Sequence, residues 1–382
     1  MAYQPEITPG SALTTSGHVD VAFMTRALEL AWQAAGKTNP NPLVGAVVVK
    51  EGAVVGEGFH HRCGEAHAEV EALRQAGDRA KGATMYVTLE PCAHHGRTPP
   101  CAEQLVAAGI QRVVMPTIDP DPKVRGRGVE MLRSAGIQTD TGCGEAAAIV
   151  TNIAYYKQRL GLGCTVVLKM ALTIDGKIAS APGRRDQVSG EASHRYVHCL
   201  RANSDGIAVG INTVLTDAPR LDCRLIDCAA APVPVVLDGN LDLPADNRWA
   251  REGRPFVVVG DASARIDALR ECGGRVLSCA SDGEGRVDVA EAVQLLSDAG
   301  FERILVEGGG QLFTSFLRAG IWDAMFLFHS PRVFGSGGVP VFTDSDPVDP
   351  DAVTVDAVRL EPDFLHRHIN RRTYGEIVAK LK

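Results

Sequence analysis

No run of apolar residues in the 382-residue chain approaches the ~20 needed to span a bilayer, and the first residues lack the basic and apolar regions of a signal peptide. Membrane insertion is excluded on that reading, and a cytoplasmic location is expected. Positive charge is in deficit: 39 Lys and Arg stand against 46 Asp and Glu, a net charge of −7. No global positive field exists to hold a polyanion, so general nucleic-acid binding is excluded while a local phosphate pocket is not. Internal repeats and low-complexity tracts are absent. What remains is ordinary globular composition, 45% hydrophobic and 22% charged, which excludes global disorder. At roughly 150 residues per domain the length allows two or three domains. In a reducing compartment the 10 cysteines read as buried small hydrophobes, or in a few cases metal ligands, rather than as disulfides.

Residues 1–18, rich in Pro, Gly, Ser and Thr and without periodicity, read as a disordered leader. Apolar residues then recur at helical spacing from Val21 to Ala35, stopped by Gly36. Leu43 to Val49 and Ala53 to Gly58 form a hairpin about Lys50-Glu51-Gly52. A helix over Ala66 to Ala76, a strand over Thr84 to Leu89, a helix over Cys101 to Ala108 and a strand over Gln111 to Met115 follow. The order α-β-β-α-β-α-β implies a layered α/β domain over 19–150, a helical connector over 151–163 and a second domain over 164–382. In the latter, strands are expected at Thr165 to Lys169, Gly206 to Val209, Val233 to Leu237, Phe256 to Val259, Arg303 to Val306 and Ala324 to Phe328. Helices are expected at Ser193 to Arg201 and Val289 to Ala299.

Chemistry concentrates in His67-Ala68-Glu69 at one helix start, Pro91-Cys92 after a strand, and Cys101 at the next helix start. A catalytic zinc takes three imidazole or thiolate ligands and leaves its fourth position to water; His67, Cys92 and Cys101 supply that set for one ion per chain. The metal brings the pKa of water from about 15.7 toward ~7, and Glu69 can shuttle protons to departing ammonia without being a ligand. Residues i and i+2 do not share a helix face, so His67 and Glu69 converge only within the first turn. Helix N-termini at Cys92 and Cys101 would favour the thiolates. A zinc-stabilised binding module without chemistry is the alternative of another class, and Glu69 argues against it, because a structural site is closed by four protein ligands.

The His-x-Glu and Pro-Cys pattern resembles that of the cytidine-deaminase-like enzymes. Between Cys92 and Cys101, however, lie eight residues, Ala93 to Pro100, where base deaminases generally have two. The longer form resembles the pyrimidine deaminases of riboflavin biosynthesis, as do Asn39-Pro40-Asn41-Pro42-Leu43-Val44-Gly45 and Thr88-Leu89-Glu90-Pro91-Cys92, over about Asp20 to Thr141. The resemblance implies a three-layer domain and substrate contacts at Asn41, His60, His95 and Arg97. His94, His95, Arg97 and Thr98 put donors beside the metal where a phosphate or ribose can be held. Asp119-Pro120 and the segment Lys123 to Gly128, with Lys123, Arg125 and Arg127, read either as phosphate-side contacts or as a solvated loop.

From Lys169-Met170-Ala171-Leu172-Thr173-Ile174-Asp175-Gly176-Lys177 onward the chain resembles the reductase half of the bifunctional riboflavin enzymes, which has a dihydrofolate-reductase-like fold. Leu200-Arg201-Ala202, Ser204-Asp205-Gly206-Ile207, Thr213-Val214-Leu215-Thr216-Asp217 and Val306-Glu307-Gly308-Gly309-Gly310 carry it further, to about Val378. The glycine run ends a strand and opens a helix from Gln311 to Arg318, so free N–H groups face an anion there; it is not a Rossmann fingerprint. The resemblance implies NADPH, with Ala171, Gln187, Thr213, Gly309, Gly310, Gln311, Leu312, Phe313, Thr314 and Ser315 near the cofactor. Near the substrate it implies Lys169, Asp175, Arg185, Asp217, Leu221, Arg224 and Glu307, with Lys169 and Asp175 either supporting the ribose or holding the turn. The chain departs from the family where Arg185 replaces a substrate-side Ser, Gln187 a cofactor-side Trp, and Ala218 the second Asp of Asp-Asp-Pro. The expectation is an α/β enzyme that deaminates a small phosphorylated pyrimidine and then reduces its ribosyl group, working as a homo-oligomer without nucleic acid or membrane. The alternative is an active deaminase whose second domain has lost reduction.

Overall fold

The computed structural model describes residues 6–8, 15–94, 99–228, 230–261, 263–282, 285–342 and 346–382. The chain divides into two compact units, residues 1–162 with 354–359 and 371–382, and residues 163–353 with 360–370.

The first unit comprises β1 (Glu6–Thr8), α1 (Thr15–Trp32), β2 (Gly45–Lys50), β3 (Ala53–Phe59), α2 (Ala68–Ala76), β4 (Thr84–Val87), α3 (Cys101–Ala107), β5 (Arg112–Met115), α4 (Arg127–Ser134), β6 (Gln138–Thr141), α5 (Glu145–Thr151) and α6 (Ile153–Leu160). Five strands form one sheet in the order β3-β2-β4-β5-β6, antiparallel about β2 and parallel from β4 to β6. Residues of β2 alternate between two cores. Ala46 and Val48 meet α2, α3 and α4 through Ala72, Leu105 and Leu132, while Val47 and Val49 meet α1 and α5 through Met24, Leu28 and Ala148. The result is a three-layer α/β/α unit. Gly56 and Gly58 of β3 let α2 lie against the sheet, since a Cβ would come within 2.2 Å of the Ala72 carbonyl oxygen or 2.5 Å of that of Ala68. That close approach fixes where the α2 N-terminus, and with it His67, ends up.

The first unit departs from the sequence reading in its elements. Part of the expected leader is ordered: Glu6–Thr8 pairs antiparallel with Ala357, Val358 and Arg359, and α1 begins at Thr15. Helix α4 and strand β6 were not anticipated. The last helix, expected with the second half, belongs to the first unit: Tyr374 Oη donates to Glu145 Oε1 at 2.5 Å, Lys380 Nζ donates to the Leu160 carbonyl at 2.8 Å, and Ile377 and Leu381 are buried.

The second unit holds β7 (Thr165–Thr173), β8 (Lys177–Ala179), α7 (Glu191–Ala202), β9 (Gly206–Gly210), α8 (Ile211–Asp217), β10 (Val233–Leu237), α9 (Arg248–Arg251), β11 (Phe256–Val259), α10 (Ser263–Glu271), β12 (Gly274–Leu277), α11 (Val289–Asp298), β13 (Arg303–Val306), α12 (Gly310–Ala319), β14 (Ala324–Ser330) and β15 (Val339–Pro340). After β16 (Ala352–Leu360) comes β17 (Asp363–Asn370), then α13 (Arg371–Leu381). Its sheet runs β17-β14-β7-β13-β9-β10-β11-β12, parallel throughout except for β17 against β14. Continuous apolar strands such as Ile304-Leu305-Val306 and Val257-Val258-Val259 bury both faces, as a parallel sheet covered on two sides requires. Cys223 and Cys228 form a disulfide, a correction to the reading of all cysteines as thiols; the four intervening residues bring the two sulfurs together in one loop.

Candidate active site

Three elements of the first unit deliver three ligand atoms to one point. His67 is the N-cap of α2, Cys92 follows the turn after β4, and Cys101 is the first residue of α3. His67 Nδ1 lies 3.6 Å from Cys92 Sγ and 3.3 Å from Cys101 Sγ, and the three ligand atoms all lie within 4.8 Å of one another. With Zn–S near 2.3 Å and Zn–N near 2.05 Å, two tetrahedral ligands stand about 3.6 Å apart, so the donor set and spacing fit one zinc ion. Cys92 is not at a helix start as expected. The α3 N-terminus reaches it through the Cys101 N–H, which donates to Cys92 Sγ at 3.4 Å.

The two thiols and the imidazole share protons unevenly. Cys92 is lowered, first by the Cys101 thiol that donates to it and then by His67, while Cys101 is pushed up by the same contact. His67 rises to about 9 because it faces the Cys92 thiolate. A divalent ion replaces such shared protons, binding the neutral imidazole and both thiolates. Glu69 is the second residue of α2, so the first-turn placement that its spacing from His67 demands is met. It is 4% exposed, and burial raises its carboxyl to about 7.

His67, Cys92 and Glu69 line a cavity of about 340 Å³ that also includes Asn41, His60, His94, Glu90, Asp119, Asp121, Lys123, Tyr155 and Arg159. His60 Nδ1 contacts the Ala66 carbonyl at 3.0 Å, which makes that nitrogen the donor; Nε2 therefore accepts from Asn41 Nδ2 at 3.1 Å. Asn41 is thereby oriented with its amide oxygen left for a ligand. A ring that donates at Nδ1 and accepts at Nε2 is neutral, and burial, which lowers the His60 pKa, favours that form. Asp119 and Lys123 line the cavity. Tyr155 and Arg159 were missed; they lie on α6, read from sequence as a mere connector, and nothing in their spacing marked them. His95 and Arg97 lie outside the described residues.

In the second unit Glu307, at the end of β13, is buried against Arg201 of α7 in a two-pronged pair of 2.6 and 2.9 Å, with Lys169 Nζ of β7 at 3.8 Å. Two cations hold its carboxyl down at about 2 against burial. Arg201 lies in a run that matches the family, and its pairing with Glu307 makes it a member of this cluster. Arg224 Nη1 pairs with Asp222 Oδ1. Thr213 Oγ1 is 3.7 Å from where a Cβ on Gly309 would stand, so these two expected cofactor residues do meet. Gly309 caps α12 without a side-chain bond, leaving N–H donors at the start of that helix for an anion, which fits a cofactor phosphate.

The other expected residues are engaged by the protein to different degrees. Phe313 and Thr314 turn their side chains into the core, because α12 buries that face; the hydroxyls of Thr314 and Ser315 bond the carbonyls of Gly310 and Gln311. Leu312 packs partly against the same core, and Gln311 is exposed. Leu221 is 2% exposed with φ of +46°, so only its backbone can face a ligand. Asp175 accepts from Thr173 Oγ1 at 2.5 Å and from the N–H groups of Phe334 and Gly335, which makes it a turn holder. Ala171 is half-buried on β7, Arg185 donates to the Asp217 carbonyl at 3.4 Å, and the Gln187 carbonyl accepts from Arg332.

A three-ligand metal cluster with a buried carboxylate beside it, on a three-layer unit, is the arrangement of the zinc deaminases, here joined in one chain to a unit built around a parallel sheet. Comparison with known proteins agrees. The family described as cytidine and deoxycytidylate deaminase zinc-binding region matches residues 18–117, and the RibD C-terminal domain matches residues 164–365. The riboflavin biosynthesis protein RibD of Aquifex aeolicus is 39% identical over 321 residues, covering 84% of this chain and 89% of its own; that of Escherichia coli is 38% identical over 328 residues, covering 83% and 89%. A solved structure from Thermotoga maritima, titled a diaminohydroxyphosphoribosylaminopyrimidine deaminase/5-amino-6-(5-phosphoribosylamino)uracil reductase, superposes with a TM-score of 0.66 at 34% identity, covering 93% of this chain and 99% of its own. The chain belongs to the RibD family of bifunctional riboflavin biosynthesis proteins, with a zinc deaminase domain followed by a dihydrofolate-reductase-like, NADPH-dependent reductase domain. It acts on small phosphorylated pyrimidines, and among the described residues no helix is long and apolar enough to cross a membrane.

Proposed function

We propose that the first unit hydrolyses the exocyclic amine of 2,5-diamino-6-ribosylamino-4(3H)-pyrimidinone 5′-phosphate, and that the second reduces the ribosyl group of the resulting aminouracil to ribityl. The observation that carries this reading is Glu69, buried in the first turn of α2 beside the His67, Cys92 and Cys101 cluster and lining the same cavity. Zinc held by those three residues would supply Lewis acidity, bringing the ionisation of water close to neutrality. Glu69, with a pKa raised to about 7, is poised to take a proton and return it to the departing amine, releasing ammonia. Asn41, oriented by His60, offers its amide oxygen to an N–H of the pyrimidine ring, and Lys123 with Arg97 attracts the phosphate.

In the second unit, nicotinamide supplies hydride when NADPH is bound. The α12 N-terminus, Thr213 and Gly309 receive the cofactor, while Lys169, held by Glu307, stands toward the sugar and Arg224 takes the substrate phosphate as a charge-assisted fork. The same reading makes the enzyme a cytoplasmic homo-oligomer. Glu69→Ala should abolish ammonia release while one zinc stays bound; retained turnover refutes the assignment. Adding NADPH to the deaminated product tests the reductase directly, since steady oxidation excludes a second unit that only binds, the reading that Arg185, Gln187 and Ala218 favour.

A further inference from the structure

Two glutamates are buried at the deaminase cavity, Glu69 and Glu90, and their surroundings give them different work. Glu90 is 3% exposed. Its Oε2 accepts from the backbone N–H groups of Asp119 and Gly126, each at 2.9 Å. Its Oε1 accepts from those of Gly128 at 2.9 Å and Val129 at 3.2 Å. A carboxylate offers about four acceptor positions, so a single loop saturates this one and leaves nothing for a substrate proton. Gly126, the N-cap of α4, provides no side-chain cap. Gly128 and Val129 are the second and third residues of that helix, and Glu90 caps it from a distant part of the chain, with its charge at the positive end. The fit is tight: a Cβ on Gly128 would stand 2.0 Å from the Pro91 carbonyl oxygen. Between the clamped ends, the loop presents Asp119, Asp121, Lys123 and Val124 to the cavity.

We propose that Glu90 is a positioning residue of the deaminase, acting on the substrate through the loop from Asp119 to Val129 that its carboxylate clamps into the cavity wall. This rests on the deaminase reading above. Glu90→Gln sets an amide N–H₂ against two N–H donors and frees half of the clamp. In the full-length zinc enzyme its KM for the phosphorylated aminopyrimidine should rise about ten-fold or more, while kcat stays within about three-fold and zinc remains at one per chain. Gly128→Ala leaves the carboxylate intact but pushes the loop off it, and should show the same split; should Glu90→Gln fail to fold, this variant decides alone. The double variant should be no worse than the worse single one, because both act through one loop. Unchanged KM in both single variants, kcat and zinc lost together in both, or additive effects would overturn the proposal. A wild-type enzyme that releases no ammonia would overturn the deaminase reading instead, so the two failures are distinct.

Discussion

Asp119 carries a cost that a single substitution should reveal. It is 5% exposed, and burial raises its carboxyl from 3.8 to about 6. Because the folded pKa lies above the unfolded one, the folded state holds the proton more tightly. The associated stability is complete below the unfolded value of 3.8 and is lost as pH rises through about 6, so at neutral pH the buried charge opposes folding. At about 1.4 kcal/mol per pKa unit, the rise amounts to about 3 kcal/mol. Asp119→Asn removes that charge yet keeps both hydrogen bonds, because Tyr155 Oη at 2.9 Å and the Asp121 N–H at 2.8 Å donate to the same oxygen, Oδ1. The unfolding transition of the first unit should therefore rise by about 6 to 12 °C at pH 7.5, at 2–4 °C per kcal/mol. At pH 5 the gain should fall to about half, since most of the wild-type carboxyl is then protonated when folded. Differential scanning calorimetry of both proteins across this range is the assay. A gain independent of pH, or none at pH 7.5, would refute the argument from burial.

Replacing Glu307 by Gln should destabilise the second unit by about 3–5 kcal/mol in chemical denaturation, because Arg201 and Lys169 are left facing each other without a counter-charge; a loss under 1 kcal/mol would show that water reaches the pair. Cys228→Ser should cost about 2 kcal/mol relative to the oxidised wild type, the loop-closure value for so short a ring, and nothing when both proteins are measured in dithiothreitol. A Cβ on Gly310 would meet the Val341 carbonyl oxygen at 2.1 Å. Gly310→Ala should thus shift the start of α12 and raise the KM for NADPH on the order of ten-fold or more, with ammonia release unaffected.

Much of this architecture was legible because its strands are uniform. Val233–Leu237, Phe256–Val259 and Arg303–Val306 lie where apolar runs placed them, and the metal cluster was legible because His67 and Cys101 stand at helix starts and Cys92 comes shortly after a strand. The failures have specific causes. Helix α4 buries only Gly128, Val129 and Leu132 and begins in a segment dense in Gly and Arg, so its sequence reads as a loop. Strand β17 places Arg367 at 0% exposure between Leu365 and Ile369, where a charge masks the alternation. Tyr155 and Arg159 of α6, and the meeting of Cys223 with Cys228, depend on how the chain folds back in space, which local periodicity does not encode. Glu90 was visible only as part of a motif; its four N–H partners lie 29 to 39 residues further on.

The place of α13 bears on how this protein can be made and divided. Residues 371–381 are translated after the whole of the second unit, so the deaminase half lacks one of its helices until then although most of it is translated first. For the same reason, cutting the gene after codon 162 would strand a helix whose Ile377 and Leu381 need partners, and a free-standing N-terminal fragment would have to be supplied with that helix, grafted or added as a peptide, to regain its full complement of packing.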